Sequence, residues 1–319
     1  MTVTVALAGD TMLGRSVAQT LTRTPPQALV APEVRATLAQ ADLVVLNLEC
    51  CISERGRPWP APGKPFFFRA PPQAVELLAL LGTDCVTLAN NHALDYGLDA
   101  LADTLDHLAT AGIAAVGAGA DLERARRPVT LAAGGLRVAV LGATDHPPDF
   151  AAGPDRPGVA FADLARQVPD WLLQTVREVD AEVMLVTPHW GPNMTSAPVR
   201  HVRRAATALV DAGATLVAGH SAHVPHGVAG PVLYDLGDFL DDYRVDPQLR
   251  NDLGLLFLVT LDGRGPIRLE ALPLKLEYCH TRLATGSDAA WMRRRFRAAC
   301  ATLGTTVEEE AGRLLISWQ

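Results

Sequence analysis

Short apolar runs alternate with stretches of helical spacing along most of the chain. The apolar runs predict strands at residues 2–8, 42–48, 85–89, 137–141, 182–187, 215–218 and 232–235. Apolar residues at helical spacing predict helices at residues 72–81, 98–111, 168–179 and 198–212. Gly82, Gly112 and Gly213 follow three of these helices, where a left-handed residue commonly ends a helix. Strands that alternate with helices predict an α/β fold whose sheet faces are covered by helices.

The pattern changes towards the end of the chain. Residues 268–276 predict an edge strand, and residues 288–303 predict an amphipathic helix. We therefore expect a single domain over residues 1–319, in which residues 261–319 form a C-terminal strand–helix appendage packed on the core. Pro and Gly concentrate at residues 55–72 and 147–158, which predicts two long ordered loops of the kind that often act as lids.

Composition excludes several classes of protein. Of the 319 residues, 49% are hydrophobic, which is enough for a buried core and argues against disorder. A net charge of −7 disfavours nucleic acid as a partner, because binding to nucleic acid relies on clustered positive charge. The five cysteines form no CxxC motif and are odd in number, which indicates a reducing compartment. The sequence shows no signal-peptide or membrane-spanning pattern, so we expect a cytoplasmic protein without a membrane partner.

Polar residues stand where five predicted strands end. They are Asp10, Asn47 and Glu49, Asn90 to His92, His189, and His220 with His223. In open α/β sheets ligands bind at the carboxyl ends of the strands, so these side chains are expected to converge on one site. Carboxylates, amides and imidazoles together are the ligands that divalent transition metals need.

Each of these residues also has a structural interpretation. Asp10 could cap a helix, Asn91 could stabilise a turn, and a single histidine at a strand end is more often a hydrogen-bonded structural residue. Cys50 and Cys51 follow Glu49 directly, and packing as small apolar residues is favoured over a role beside a metal. The coincidence of five such strand ends is what favours a metal site.

Six segments resemble the family named after the capsule protein CapA of poly-γ-glutamate synthesis. They read AGDTMLGR at 8–15, ADLVVLNLE at 41–49, LANNHALDYG at 88–97, PHWGPNM at 188–194, GHSAHV at 219–224 and LYDLGDFLDDY at 233–243. The fold of that family is similar to the calcineurin-like metallophosphoesterases. The resemblance therefore implies an α/β/β/α sandwich and an enzyme that uses two divalent metal ions. Mn, Zn, Fe and Ca are all compatible with the ligands.

The resemblance also implies roles for individual residues. Asp10 would bind one metal, and Glu49 would stand where a bridging carboxylate is expected. Asn91 and His189 would bind the second metal. His220 and His223 would complete the cluster. Asp10 would also belong to the catalytic group.

The same resemblance makes His92 the mobile acid or base beside the metals, with Asp95 orienting its ring. Three residues outside the cluster are candidates for substrate binding. Lys64 and Arg69 flank an aromatic run and could hold a carboxylate or phosphate, although plain surface charge is equally compatible. His146 ends another strand in the sequence Asp-His-Pro-Pro, and belongs either to a lid or to a cis-prolyl turn.

Two departures from the phosphoesterase pattern bear on the reaction. Phosphoesterases of this fold usually begin with Asp-x-His, whereas Asp10 is followed by Thr11 and Met12. The GHxH ending is also stretched, because Ser221 and Ala222 separate the two histidines. Both changes are expected to weaken one metal position.

Three functions follow from the resemblance. The branch without a membrane anchor is similar to the epimerases of lasso-peptide biosynthesis, which favours an isomerase that inverts the C-terminal residue of a ribosomal precursor peptide. The alternative is a metal-dependent hydrolase that acts on a small anionic substrate, a phosphoester. A role in poly-γ-glutamate capsule synthesis is a further alternative, although capsule members are typically anchored outside the membrane.

Overall fold

Two stacked β-sheets carry helices on their outer faces in this computed structural model, which describes residues 1–60 and 62–318. The helices are α1 (Arg15–Leu21), α2 (Pro32–Leu38), α3 (Ala74–Leu80), α4 (Leu98–Thr110), α5 (Leu122–Arg126), α6 (Asp170–Glu178), α7 (Arg200–Ala212) and α8 (Gly286–Ala301). Short 3₁₀ turns lie at Pro26–Ala28 and Pro148–Phe150.

The strands of the first half are β1 (Val3–Thr11), β2 (Leu43–Leu48), β3 (Cys51–Ile52), β4 (Arg69–Ala70), β5 (Cys85–Thr87), β6 (Ala114–Val116), β7 (Ala118–Gly119), β8 (Val129–Ala133), β9 (Leu136–Thr144) and β10 (Gly158–Val159). Those of the second half are β11 (Val183–His189), β12 (Leu216–Ala218), β13 (Val228–Ala229), β14 (Val232–Leu233), β15 (Asp238–Leu240), β16 (Leu253–Asp262), β17 (Gly265–Glu277), β18 (His280–Leu283), β19 (Glu308–Glu310) and β20 (Arg313–Ser317).

The larger sheet has ten strands and the smaller has six. In the larger sheet the order is β19-β20-β17-β16-β1-β2-β5-β6, with β15 pairing with β1 and β18 with β17. The smaller sheet has the order β13-β14-β12-β11-β9-β8. Strands β1, β2, β5 and β6 run parallel, as do β9, β11, β12 and β14, so their carboxyl ends meet at one edge of the molecule.

Alternation along the strands creates three layers of core. Val5 and Leu7 of β1 belong to an apolar cluster that also contains Val140 of β9, and this cluster lies between the sheets. Ala6 and Ala8 belong to a second cluster, beneath helices α1 to α4. A third cluster joins the smaller sheet to α6 and α7. Because successive side chains of a strand point to opposite faces, one strand supplies both its neighbouring layers. The predicted α/β/β/α sandwich is confirmed.

The predicted strands and helices correspond to β1, β2, β5, β9, β11, β12 and β14 and to α3, α4, α6 and α7. The left-handed glycines predicted after three helices are confirmed, with φ of 69°, 74° and 113° at Gly82, Gly112 and Gly213. The sequence pattern did not reveal β16, a ten-residue strand that pairs with β1. Through β16, the strands after residue 261 join the larger sheet, and α8 contributes Met292 and Phe296 to the core between the sheets.

The two Pro- and Gly-rich loops contact each other. Trp59 in the first donates a hydrogen bond from Nε1 to Oδ2 of Asp149 in the second, at 2.7 Å, and its ring lies 5.1 Å from that of Phe150. In the described ranges, no helix combines the length and apolar character needed to span a membrane.

At Gly9, beside the predicted site, another backbone segment approaches strand β1 closely. A Cβ built on Gly9 would lie 1.9 Å from the carbonyl oxygen of Gly237. Gly9→Ala therefore forces β1 and the chain leading into β15 apart. We expect it to lower the free energy of unfolding by about 1–3 kcal/mol, measured by urea denaturation.

Gly263→Ala is the matched control, because its added Cβ would meet nothing nearer than 3.9 Å. Equal unfolding midpoints for the two variants would contradict the close approach of the strands.

Candidate metal centre

Three carboxylates are brought together by strand pairing in the larger sheet. Asp10 of β1 lies in register with Asn47 of β2 on one side and with Asp238 of β15 on the other. Glu49 follows β2 directly. Asp10, Glu49 and Asp238 are almost completely inaccessible to solvent, with at most 1% of each residue exposed. Negative charge is therefore concentrated at the carboxyl ends of β1 and β2.

Histidines from the smaller sheet face these carboxylates. His189 ends β11 and forms a parallel bridge with His220, which follows β12. Nδ1 of His220 lies 2.9 Å from Oδ1 of Asp10, and Nε2 of His189 lies 3.8 Å from Oε1 of Glu49. His223 reaches both Asp238, at 2.7 Å, and Oδ2 of Asp10, at 3.3 Å, through its Nδ1. The cluster thus lies where the two sheets meet.

Two amide side chains fix the position of Asp10. Asn47 donates from Nδ2 to Oδ1 of Asp10 at 2.7 Å. Asn90 in turn donates from Nδ2 to Oδ1 of Asn47 and to the carbonyl of Leu48, each at 2.9 Å. Oδ1 of Asn90 accepts from the backbone N–H of His92 at 3.0 Å. This network ties the cluster to the loop that carries His92.

The carboxylates differ in how readily they ionise. Burial would raise the pKa of Asp10, but hydrogen bonds from His220 and His223 outweigh it and hold that pKa well below its usual range. Burial and the neighbouring charge of Asp10 hold the pKa of Glu49 well above its usual range. Burial also raises the pKa of Asp238 to about 6. Without a further positive charge, the cluster keeps Asp10 ionised and disfavours a second negative charge beside it.

The histidines also differ in pKa. Burial lowers the pKa of His189 well below its usual value, which leaves a neutral imidazole that is able to bind a metal. Burial acts in the same direction on His223, but the charges of Asp238 and Glu49 outweigh it and raise its pKa.

The donor atoms fit a divalent metal ion. Two groups of three residues, Asp10 with His223 and Asp238, and Asp10 with Glu49 and His189, each offer ligand atoms within 4.8 Å of one another. Three of these atoms are buried and have no hydrogen-bond partner within residues 1–60 and 62–318: both carboxylate oxygens of Glu49 and Oδ2 of Asp238. Buried carboxylate oxygens are costly unless they are paired or coordinate a metal. The cluster could therefore hold a metal ion.

Beside the cluster, His92 forms a pair with Asp95. Nδ1 of His92 lies 2.6 Å from Oδ2 of Asp95, which leaves Nε2 as the nitrogen without this partner. Nζ of Lys64 lies 2.9 Å from Oδ1 of Asp95 and donates to the carbonyl of Asn91 at 2.7 Å. Burial lowers the pKa of His92 despite the opposing effect of Asp95, so that a neutral ring able to accept a proton is favoured.

His92 opens into a cavity of about 500 Å³. Its wall combines aromatic rings with three basic side chains: Phe66, Phe68 and Tyr243, and Arg15, Lys64 and Arg244. The ring of Phe68 lies 4.2 Å from that of His92, and the ring of Tyr243 lies 5.3 Å from that of His223. The cavity therefore joins an apolar wall and positive charge to the edge of the carboxylate cluster.

Residues 4–243 match the family described as bacterial capsule synthesis protein PGA_cap. The chain belongs to this family. The matched range contains every carboxylate and histidine of the cluster as well as His92, Asp95 and the aromatic wall of the cavity.

Curated proteins of the same kind are similar over most of the chain. A probable polyglutamine synthesis accessory protein of Mycobacterium tuberculosis is 33% identical over 98% of this chain and 95% of its own length. The PGA biosynthesis protein CapA of Bacillus subtilis is 30% identical over 75% of this chain and 63% of its own length. The capsule biosynthesis protein CapA of Bacillus anthracis is 29% identical over 86% of this chain and 68% of its own length.

Most ligands that the resemblance to CapA implied for this PGA_cap member lie together. Asp10, Glu49, His189 and His223 belong to the two three-residue groups, and His220 contacts Asp10. Asp10, rather than Glu49, is the carboxylate shared by both groups. Asn91 lines the cavity, and its Oδ1 is buried without a hydrogen-bond partner in the described part of the chain.

The three candidate substrate-binding residues are placed differently. Lys64 lines the cavity. Arg69 does not line it; its guanidinium packs 4.1 Å from the ring of Tyr96 and donates to the carbonyl of Arg55. His146 pairs with Asp145 through Nδ1, lies 5.2 Å from the ring of His189, and precedes a cis bond to Pro147.

Cys50 and Cys51 are buried and free. Burial raises the pKa of Cys50 well above the usual value and that of Cys51 to about 12, so neither thiol is a ready nucleophile at neutral pH.

Sequence reasoning gave no role to Asp238, and it included Asn47 among the converging strand-end residues without a specific role. Asp238 lies in the segment LYDLGDFLDDY, which supported the family resemblance, yet only the pairing of β15 with β1 shows that its carboxylate reaches Asp10 and His223. The sequence pattern already pointed to Asn47 as a site residue, because it lies at the end of a predicted strand beside Glu49.

Glu49→Gln tests the metal centre. Because Glu49 is buried beside Asp10 and resists ionisation, we expect the neutral variant to melt in chelator at the same temperature as the wild type, or higher. Addition of Mn²⁺ or Zn²⁺ should raise the melting temperature of the wild type more than that of Glu49→Gln, because Glu49 belongs to only one of the two groups. A ligand at a hundred times its Kd adds about 2.7 kcal/mol. Differential scanning calorimetry measures both quantities.

Glu270→Gln is the control for a partly buried glutamate, because Glu270 pairs with Arg268 and Arg313 rather than with the cluster. A metal-dependent rise of equal size in Glu49→Gln would show that Glu49 is not a ligand.

Proposed function

We propose that this member of the PGA_cap family is a metal-dependent isomerase that inverts the C-terminal residue of a ribosomal, lasso-type precursor peptide. The observation that carries the proposal is the His92–Asp95 pair, which opens into a cavity with aromatic and basic walls beside the metal-ligand cluster. A peptide terminus needs these elements together: a cationic partner for its carboxylate, an apolar wall for its side chain and a base for its Cα proton.

His92 would remove the proton from Cα. Asp95 holds Nδ1 and thereby the ring orientation, so Nε2 is the nitrogen that accepts the proton. The electron pair of the broken C–H bond moves towards the carboxylate of the substrate. Inversion requires a second proton, derived from solvent, to add to the face of Cα that points away from His92, while the proton taken by His92 passes to solvent.

The resemblance to the metallophosphoesterases supports two metal ions, held by the groups that share Asp10. A divalent cation, when bound, supplies the Lewis acidity that favours negative charge on a substrate oxygen or the ionisation of water. On the protein side, the hydrogen bonds from Asn47 and His220 hold Asp10 ionised and oriented towards that position.

Phosphoester hydrolysis is the second candidate. It is supported by Asp238, because this carboxylate joins Asp10 and His223 and supplies a third ligand where the missing histidine of the Asp-x-His pattern was expected to weaken the site. His92 would then protonate the leaving oxygen.

The names of the relatives support a third candidate, a role in the synthesis of a glutamyl polymer. The cavity would then receive a γ-glutamyl chain, with its basic side chains facing the carboxylates of that chain.

Deuterium exchange separates these reactions. Protein loaded with Mn²⁺ is incubated in heavy water with the short peptide encoded beside its gene, and in parallel with a γ-glutamyl peptide and with simple phosphoesters. A gain of one mass unit at Cα with inversion, abolished by chelator, is the expected result. Metal-dependent phosphate release without exchange would overturn the proposal in favour of hydrolysis.

His92→Gln is expected to lower turnover roughly 10²- to 10⁴-fold, which is the usual contribution of a general acid or base. Metal content and melting temperature should remain those of the wild type, because Asn90 and Lys64 hold the loop through backbone groups. His107→Gln, on α4, is the control for loss of an imidazole outside the site. If His92→Gln instead loses its metal or its stability, the residue is structural.

A further inference from the structure

Arg15 is a basic residue of the cavity that the sequence analysis did not single out. It begins α1 in a left-handed conformation, with φ of 49°, which is uncommon for a residue other than glycine. Its guanidinium carbon lies 5.1, 5.5 and 6.0 Å from the ring centres of Phe66, Phe68 and Tyr243. Backbone and aromatic contacts thus hold the guanidinium on the cavity wall beside His92.

Asp242 holds one edge of this guanidinium. Nε of Arg15 donates to Oδ2 of Asp242 at 3.2 Å, and Nη2 lies 3.0 Å from Oδ1. Asp242 is itself buried and fixed by the backbone N–H of Ser16 at 3.0 Å. A guanidinium has five N–H donors in a planar fork. Among residues 1–60 and 62–318, Nη1 of Arg15 makes no hydrogen bond, so part of the fork stays available to a second anion.

The other basic residues near the cavity are less suited to bind an anion. The ammonium of Lys64 is occupied by Asp95 and by the carbonyl of Asn91. Arg69 lies against Tyr96, outside the cavity. Arg244 lines the cavity but is solvent-exposed, and no aromatic ring or carboxylate of the described residues orients its guanidinium. Only Arg15 combines cavity access with a fixed orientation.

We propose that Arg15 binds the anionic group of the substrate, a carboxylate or phosphate attached to an apolar body that packs on Phe66 and Phe68. The inference rests on the proposed function in one respect, that this cavity receives the substrate. Asp242 positions the guanidinium by occupying Nε and Nη2, and the anion accepts from Nη1. Hydrogen bonds from a guanidinium to an oxyanion are charge-assisted, and they are shorter and stronger than those between neutral groups.

Calorimetric titration of the full-length protein tests this assignment without requiring turnover. The probes are N-acetyl-L-phenylalanine, its uncharged amide, and benzylphosphonate, each titrated in chelator and again with Mn²⁺. With and without Mn²⁺, Arg15→Gln is expected to weaken binding of each charged probe roughly 10- to 100-fold. Its affinity for the uncharged amide should equal that of the wild type. Arg15→Lys should bind the charged probes with an affinity between those of the wild type and Arg15→Gln, because lysine keeps the positive charge but lacks the planar guanidinium.

Arg244→Gln is the matched control, since it removes a basic side chain from the same cavity. Equal binding by wild type and Arg15→Gln, or an equal loss in Arg244→Gln, would overturn the assignment. If Arg15→Gln fails to fold because Asp242 is left unpaired, the double variant Arg15→Gln/Asp242→Asn removes both charges and takes its place.

The two charged probes separate the substrate classes. Preference for the carboxylate agrees with a peptide terminus. Preference for the phosphonate keeps Arg15 as the anion-binding residue but contradicts the epimerase. If the carboxylate probe binds but the peptide shows no deuterium exchange, Arg15 likewise remains the anion-binding residue and the epimerase is contradicted.

Discussion

The burial of Asp10, Glu49 and Asp238 beside one another is the constraint on which the rest of the site depends. Charges removed from water are costly unless opposite charge or hydrogen bonds compensate them, and carboxylates in contact raise each other's pKa. Asn47 and His220 compensate Oδ1 of Asp10, but both oxygens of Glu49 are left without hydrogen bonds in the described part of the chain. A fold that keeps such a cluster gives up stability for a place that could hold a cation.

Strand register creates this cluster and the core at the same time. Asp10 pairs with Asn47 and Asp238, and His189 pairs with His220, so the backbone itself sets which side chains meet. A shift of one residue in β1 would turn Val5 and Leu7 away from the core between the sheets and turn Asp10 away from its partners. Packing of the apolar residues therefore holds the polar ones in place.

Sequence reasoning identified the strand ends, because an apolar run followed by Asp, Glu or His is a local pattern. It gave no role to Asp238, since the carboxylate reaches Asp10 through β15, a three-residue strand too short to show a period. It also treated Lys64 and Arg69 alike, whereas the fold turns one towards Asp95 and the other towards Tyr96. The orientation of Arg15 depends on a left-handed backbone and on rings from distant segments, which no spacing in the sequence records.

The departure from the Asp-x-His pattern has a different meaning once the packing is known. Met12 stands where the histidine is usual; it is fully buried in the apolar core, and its sulfur accepts from the backbone N–H of Gly14. The group around His223 nevertheless has three donors, because Asp238 lies beside Asp10. A carboxylate thus takes part where an imidazole would have been expected. Carboxylate oxygens suit harder cations such as Mn²⁺ or Ca²⁺, whereas imidazole suits Zn²⁺. A metal ion held by this group would therefore meet two carboxylates and one imidazole.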